Sequence, residues 1–229
     1  MTLEDLILYI DGEAIVIDKP AGLAVDAPRL GGDSIEARAH QLQLGFARPP
    51  VAMHRLDRDT SGCLLFARNP KSRARFQQAF ESGAVEKTYL AVIDGEVGAE
   101  AGTIDLPVAK FSTPTRGWRM VVDKGGKAAL THWRRLTVEN GQSLVEFKPA
   151  TGRTHQIRIH AARGLGAAIV GDPVYSRADD DDAPGPMTLP DSGMLLHASR
   201  IVMPRQPRDP IDVRAPLPER FGRWLDHIG

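Results

Sequence analysis

Residues 51–67 read VAMHRLDRDTSGCLLFA, a charged run between two apolar segments. The apolar segments VAM and CLLFA are typical of short strands. The run between them, residues 54–62, is therefore predicted to be a loop that joins two strands. Loops held by a rigid scaffold often display reactive side chains, which makes Asp57 a candidate functional residue. From charge alone, the alternative is an exposed loop of ion pairs, in which Thr60-Ser61-Gly62 only forms a turn.

On the N-terminal side of this loop, the sequence predicts a strand and a helix. Residues 14–18 (AIVID) have the apolar pattern of a buried strand, which is broken at Pro20. Asp33 can cap a helix with Glu36 at the capping-box position, and apolar residues then recur on one helical face. We therefore expect an amphipathic helix near residues 34–45.

On the C-terminal side, a helix is followed by several strands. Asn69 is a favoured N-cap residue, Pro70 suits the first helical position, and Gly83 can end the helix. Asp94-Gly95 and Asn140-Gly141 are hairpin-type turns, which favour antiparallel pairing. The strands predicted around them are residues 87–93, 128–138 and 144–148.

The last third of the chain has weaker signals. Residues 154–163 predict a short helix that Gly164 ends. Residues 176–193 are rich in Asp, Pro and Gly and have no apolar period, so we expect a flexible acidic loop. Residues 194–203 favour strand structure, and residues 218–228 can close the chain as a helix.

The composition is that of one globular chain. With 229 residues, 42% of them hydrophobic, it can bury one substantial core, and we expect a single domain, 1–229, that can form two lobes. Lys plus Arg and Asp plus Glu number 29 each, so the totals show no general attraction to nucleic acid. Residues 48–75 are nevertheless rich in arginine and can form a basic face. The single cysteine, Cys63, excludes an intramolecular disulfide and fits a reducing compartment.

Several common functional motifs do not occur in the sequence, namely the GxxxxGK[ST] and GxGxxG loops, the GxSxG elbow and the HExxH pair. His155 and His160 lie five positions apart, on different faces of either a helix or a strand, so we expect no metal site. We expect no cofactor either. No apolar run approaches the roughly 18 residues of a membrane span, and we expect a cytoplasmic protein.

The charged run also carries a resemblance to a known family. HRLDRDTSG, residues 54–62, resembles the catalytic motif of the RluA-type pseudouridine synthases. Five further segments resemble motifs of that family and occur in its order. They are IDKPAGL (17–23), KTYLA (87–91), GRTHQIRIH (152–160) and, more weakly, GDPVY (171–175) and LLHA (195–198).

The resemblance covers roughly residues 13–217 and implies a fold and an activity. The implied fold is α+β, with a mixed, mostly antiparallel central sheet flanked by helices and a central cleft. The implied enzyme isomerises uridine to pseudouridine in ribosomal RNA, transfer RNA or both, without a cofactor. The resemblance begins after only about twelve residues, so we expect no separate S4 RNA-binding domain, and we expect a monomer.

The family motifs also imply roles for individual residues. Asp57 matches the catalytic aspartate, which acts as nucleophile or base, and Arg158 matches the arginine that pairs with it. Tyr89 matches the tyrosine that stacks on the uracil. Arg55 is the candidate to fill the space that the target base leaves, and Leu196 is a candidate wall of the uracil pocket.

Five further cations are candidate contacts to the RNA backbone, with solvated surface residues as the alternative. They are Lys19, Arg58, Arg73, Arg75 and Arg153. Two other functions remain open at this point. One is a non-catalytic RNA-binding protein or RNA-folding helper on the same fold. The other is a glycosidase-type hydrolase that uses Asp57 and Asp59 as a carboxylate pair.

Overall fold

The computed structural model describes residues 1–27, 31–113, 117–175 and 193–227. Apart from Gly193, the acidic segment expected at 176–193 lies outside these residues. The chain divides into two compact units. Unit 1 comprises Met1–Thr88 and His197–Leu217, and unit 2 comprises Tyr89–Leu196 and Pro218–Gly229. The expectation of a single domain stays a prediction.

Twelve strands and three α-helices are found in the described residues. The strands are β1 (Ile7–Ile10), β2 (Ala14–Lys19), β3 (Val51–Ala52), β4 (Ser61–Ala67), β5 (Glu86–Ile93), β6 (Ala101–Asp105), β7 (Val108–Thr113), β8 (Gly117–Val122), β9 (Leu130–Glu139), β10 (Gln142–Pro149), β11 (Leu196–Arg205) and β12 (Arg208–Arg214). The helices are α1 (Ile35–Arg38), α2 (Pro70–Glu81) and α3 (Gln156–His160), with short 3-10 helices at Glu4–Leu6, Ala39–Leu42 and Glu219–His227 and a π-helical turn at Ala161–Leu165.

Unit 1 is built around β4, in which all seven residues are buried. β2 and β3 pair with β4 antiparallel, β1 pairs with β2 antiparallel, and β11 pairs with β4 in parallel. β12 then pairs antiparallel with β11. Phe76 of α2 packs into the core formed by these strands, together with Leu65 and Ile201. The apolar residues of the CLLFA segment therefore form a fully buried central strand, as expected when both faces of a sheet are covered.

Unit 2 contains an antiparallel meander and a separate hairpin. β10 lies between β5 and β9, and β6 pairs with the other edge of β9. Val145 and Phe147 of β10 pack with Ile157 of α3 in one apolar core. β7 and β8 form a two-stranded antiparallel hairpin. Of the strand pairs described above, only β4 with β11 is parallel and the others are antiparallel. The fold class of a mixed, mostly antiparallel sheet with helices is thus confirmed.

Helix boundaries follow the sequence signals in one case and correct them in another. Asn69 caps α2 as predicted, because its side-chain oxygen accepts from the backbone N–H of Ser72 at 2.9 Å. At α1 the predicted cap, Asp33, is wrong. Ser34 is the N-cap and accepts from the N–H of Ala37 at 3.1 Å, while Asp33 forms an ion pair with Arg38.

The turn predictions have mixed outcomes. Asn140-Gly141 joins β9 to β10, and both residues have positive φ values of 50° and 76°, as a type I′ hairpin turn requires. Asp94-Gly95 is not a hairpin turn, because β5 pairs with β10 and the Asp94 N–H donates to the carbonyl oxygen of Ala168. The predicted helix stop at Gly164 is also wrong, since the chain leaves the helical region two residues later, at Gly166 (φ 79°).

The C-terminal segment differs in kind from the predicted helix. Glu219–His227 is 3-10 helical, and Gly222 interrupts it with φ 53° and ψ −123°. Phe221 and Trp224 on either side of the interruption are buried. In the described residues, no helix is both long enough and apolar enough to cross a membrane.

Candidate active site

The loop that carries Asp57 is anchored at both ends within unit 1. It leaves β3 at Ala52 and enters β4 at Ser61. Leu56 is buried beside the half-exposed Asp57, and the N–H of Thr60 donates to the carbonyl oxygen of Asp57 at 3.1 Å. The predicted inter-strand loop is therefore confirmed, and Asp57 lies in a hydrogen-bonded turn of it.

Lys19 also anchors the loop that carries Asp57. It is fully buried, and its Nζ donates to the carbonyl oxygens of Pro20, Leu23 and Arg58 at 2.8, 2.7 and 3.0 Å. The N–H of Gly22 donates to the same Arg58 oxygen at 2.9 Å. A lysine with three such acceptors and no surface exposure contradicts the prediction that Lys19 contacts RNA phosphates. The ammonium group instead ties segment 19–23 to the residue after Asp57.

His54, at the start of the motif, anchors the loop to β4. Its Nε2 accepts from the N–H of Leu65 at 3.1 Å. Burial, with the positive charge of Lys87 nearby, lowers the pKa of His54 to about 3, so the ring stays neutral and can accept this bond. Sequence reasoning gave His54 no role, because a lone histidine in a charged run does not reveal that its ring is buried.

The Ser61-Gly62 end of the motif fits against β11. Ser61 Oγ and His197 Nδ1 are 2.8 Å apart in a buried hydrogen bond, and the other ring nitrogen of His197 faces the carbonyl oxygen of Ala215 at 3.4 Å. Gly62 has φ 109°, and a Cβ there would collide with the backbone of Ala198. Only glycine therefore fits at position 62 without strain.

Two arginines of the loop are exposed. The Arg55 side chain is 66% exposed and its Nη1 lies 2.8 Å from a carboxylate oxygen of Asp26. The Arg58 side chain is 61% exposed and its Nε lies 3.0 Å from Asp59. Both guanidinium groups face solvent, although Asp59 itself is only 17% exposed. Ion pairs of exposed side chains are weak, so either arginine can exchange its partner for another anion.

Arg158, in unit 2, has a partner that sequence reasoning missed. Its Nε and Nη2 donate to the two carboxylate oxygens of Asp172 at 2.7 and 2.8 Å, and both side chains are buried. Asp172 also accepts from the N–H groups of Val174 and Tyr175. The guanidinium lies 5.2 Å from the centre of the Tyr175 ring. The GDPVY motif, which was only a weak match in the sequence, thus supplies the residues that orient Arg158.

Tyr89 and Leu196 belong to one apolar cluster of unit 2. The half-exposed Tyr89, on β5, packs against this cluster, and Leu196, which is 3% exposed, is part of its buried core. Ile157, the neighbour of Arg158, lies in the same core. The structure therefore brings Tyr89, Leu196 and the helix that carries Arg158 together.

The remaining backbone candidates lie in different environments. Arg73 is exposed on α2. Arg75 forms an ion pair with Glu13 at 2.6 Å, and the Arg153 Nε donates to the carbonyl oxygen of Ala128 at 2.9 Å. Contacts from these arginines to RNA stay predictions.

The histidines considered as metal ligands have protein partners. His160 faces the Thr131 hydroxyl at 2.9 Å and the carbonyl oxygen of Leu106 at 3.0 Å, and His155 faces the Tyr175 hydroxyl at 3.0 Å. In the part of the chain that the structure describes, no three His, Cys, Asp or Glu residues are grouped as metal ligands would be.

The family model and the sequence relatives that match this chain are all described as pseudouridine synthases. The family model described as RNA pseudouridylate synthase matches residues 13–163. An uncharacterized RNA pseudouridine synthase of Zymomonas mobilis is 50% identical over 94% of this chain and 94% of its own length. The ribosomal large subunit pseudouridine synthase C of Rickettsia bellii is 35% identical over 96% of this chain and 70% of its own length.

The solved structures agree with the sequence relatives. Human RNA pseudouridylate synthase domain containing 4 has a TM-score of 0.76 at 27% identity, over 98% of this chain and 92% of that one. The second human structure, domain containing 1, has a TM-score of 0.73, also at 27% identity, over 99% and 88% of the two chains. With the family model, the fold and these relatives in agreement, the chain belongs to the RNA pseudouridylate synthase family.

Proposed function

We propose that this RNA pseudouridine synthase uses Asp57 as its nucleophile or base and acts on ribosomal RNA, transfer RNA or both. The observation that carries the proposal is the position of Asp57. It is a half-exposed carboxylate on a turn that His54, Lys19 and Ser61 fasten to the sheet. Preorganised groups of this kind lose little freedom when a substrate binds.

The reaction fits a carboxylate without a cofactor. The bond from ribose C1′ to uracil N1 breaks, the base turns, and C1′ bonds to uracil C5. The hydrogen on C5 leaves as a proton and N1 gains one, so the product is an isomer of the substrate. Attack of Asp57 on the ribose or the uracil ring, and removal of a sugar proton to give a glycal, are all compatible with this balance.

Other residues have supporting roles in the proposal. Arg158 is proposed to stabilise the aspartate charge, and Asp172 holds the guanidinium in a fixed plane. Tyr89 is proposed to stack on the target uracil, a contact that contributes about 1–3 kcal/mol in single-strand recognition. Leu196 lies in the apolar core against which Tyr89 packs and is proposed as a wall of the uracil pocket.

Arg55 is proposed to fill the space that the flipped base leaves. The exposure of its side chain and its solvent-exposed ion pair with Asp26 are compatible with this movement.

Ribosomal RNA is supported as a substrate by the Rickettsia bellii relative, whose name specifies the large ribosomal subunit. The proposal also places the enzyme in the cytoplasm as a monomer, which cell fractionation and light scattering test.

Release of tritium from RNA labelled at uracil C5 tests the proposal. The wild-type chain is expected to release label from ribosomal or transfer RNA transcripts, and Asp57→Asn is expected to reduce the rate by about 100-fold or more. Asp59→Asn is the matched control, because Asp59 lies on the same loop and is paired with Arg58. It is expected to retain most of the release.

Each contrary result has a distinct meaning. Free uracil as product would indicate hydrolysis by the Asp57 and Asp59 pair. Binding of both RNA classes without label release would support the RNA-binding or RNA-folding alternative. Equal activity of wild type and Asp57→Asn would contradict the role of Asp57.

A further inference from the structure

The β7–β8 hairpin exposes two aromatic rings. Phe111 is 45% exposed and Trp118 is 47% exposed. In the hairpin, Trp118 lies opposite Ser112, and Phe111 lies opposite Arg119. Because opposed residues share a face and successive residues alternate, the two rings lie on different faces of the hairpin. Single exposed apolar residues are common, so exposure alone does not indicate a function.

Each ring is accompanied by a cation. The Lys110 Nζ lies 5.1 Å from the centre of the Trp118 ring, and the Arg119 guanidinium carbon lies 5.6 Å from the centre of the Phe111 ring. Residues 108–113 and 117–122 contain no Asp or Glu, although the whole chain has no net charge. The hairpin therefore combines stacking surfaces with a local positive charge, which complements a polyanion.

Trp118 rests on a fixed support. Met120, on the same face of β8, is buried, and its N–H donates to the Tyr175 hydroxyl at 3.1 Å. The same hydroxyl lies 3.0 Å from His155 Nδ1, and the His155 ring lies 5.1 Å from the Trp118 ring at an angle of 30°. The indole thus packs against His155, three positions before Arg158. No comparable ring contact to Phe111 is found in the described residues.

We propose that the β7–β8 hairpin is a second RNA contact, at which an unpaired nucleotide outside the reacting position stacks on Trp118. An exposed cation–π contact is weaker than base stacking on an indole, so the base displaces the Lys110 ammonium from the ring. The ammonium then pairs with a neighbouring phosphate. The inference rests on the proposed function only in taking RNA as the partner.

Tryptophan fluorescence in Asp57→Asn protein tests the contact without any reaction. The chain has three tryptophans, and Trp118 is the exposed one, since Trp224 is buried and Trp133 is half-buried. A short single-stranded oligouridylate is expected to quench the emission. Trp118→Leu is expected to lose this quenching and to weaken binding, followed by fluorescence anisotropy of labelled RNA, by about tenfold.

Matched variants separate stacking from other effects. Trp118→Phe keeps a stacking surface and is expected to bind much more like the parent than Trp118→Leu does. Phe111→Leu, at equal exposure on the other face of the hairpin, is expected to leave affinity unchanged. Lys110→Gln is expected to reduce the slope of log affinity against log salt by about 0.7, the loss of one phosphate contact on a single strand.

Several outcomes would overturn the inference. Equal affinity of the parent and Trp118→Leu would do so, as would quenching by a duplex as strong as by the single strand. Concentration-dependent loss of Trp118 exposure without RNA would make the hairpin a protein contact instead. Because binding is measured in Asp57→Asn protein, a failure of the catalytic proposal leaves these results unaffected.

Discussion

At the scale of single residues, several charged side chains are buried and bind other groups of the protein. Arg158 and Asp172 are both buried, and Lys19 is fully buried. A buried ion pair carries a large desolvation cost, so it contributes little net stability, but removal of one partner leaves an uncompensated charge. These residues therefore fix positions more than they add to the free energy of unfolding.

Asp172→Asn tests this view of the Arg158 pair. The buried guanidinium loses its charged partner, so we expect the free energy of unfolding in urea to fall by about 3–5 kcal/mol. In native protein we also expect slower tritium release. Asp212→Asn is the control, because the Arg200–Asp212 pair is partly exposed and should cost less than about 1 kcal/mol. A cost for Asp172→Asn as small as that of the control would show that the pair does not constrain the fold.

At the scale of elements, the parallel contact of β4 with β11 depends on one glycine. Gly62 has positive φ, and no Cβ fits between it and the backbone of Ala198. Gly83 also has positive φ (72°), but a Cβ added there would meet no atom within 4 Å. Substitution of each glycine in turn thus separates two contributions to the free energy of unfolding. One is the cost of a side chain at positive φ, and the other is the cost of its overlap with the Ala198 backbone.

The prediction compares Gly62→Ala with Gly83→Ala. Positive φ should cost each variant about 1–2 kcal/mol of unfolding free energy. The collision should add about 1–3 kcal/mol at Gly62 alone. Urea unfolding measures both costs, and tritium release shows whether the shift of β4 disturbs Asp57. Equal losses in the two variants would mean that the strands separate easily.

Local elements were predictable from sequence, whereas contacts over long sequence separations were not. The Asn69 cap and the Asn140-Gly141 turn involve neighbouring residues, so their side-chain chemistry is visible in the sequence. The bond from Lys19 to Arg58 spans 39 positions, and the pairing of Ser61 with His197 spans 136. The burial of Lys19 and the failure of Asp94-Gly95 as a hairpin turn both follow from such distant partners.

In the candidate site, too, the sequence indicated individual residues but not the contacts between them. The motifs indicated Asp57, Tyr89 and Arg158 as candidate site residues. The periodicity of the sequence could not reveal that Asp172 holds Arg158 or that His54 accepts a bond from β4. In both cases the decisive quantity is burial. Burial is a property of the packed chain, and a charged or polar residue in a sequence gives no direct sign of it.

At the scale of the whole molecule, the neutral His54 links stability to pH. Its pKa is about 3 in the folded protein, against about 6.5 in an unfolded chain, so the unfolded state binds the proton more tightly. The contribution is fully present above pH 6.5 and is lost as pH falls from about 6.5 towards 3. At pH 5 the loss from this residue is about 2 kcal/mol.

Urea unfolding between pH 5 and pH 7.5 measures this loss. His54→Gln can keep an acceptor for the Leu65 N–H but has no proton to gain, so its stability should change less with pH than that of the wild type. The difference between the two slopes isolates the histidine from the many carboxylates. Parallel pH profiles for the two proteins would show that His54 can take up its proton in the native state.

The fastening of the Arg58 carbonyl oxygen by Lys19 and Gly22 also bears on proteolysis. The motif loop presents Arg55 and Arg58 to solvent, and both are residues after which trypsin cleaves. A protease, however, must draw several residues of backbone into an extended conformation. At Arg58 this would break two hydrogen bonds to one oxygen and leave a buried ammonium short of an acceptor. The loop can thus expose the Arg58 side chain to solvent while the peptide bond that follows Arg58 remains a poor substrate for cleavage.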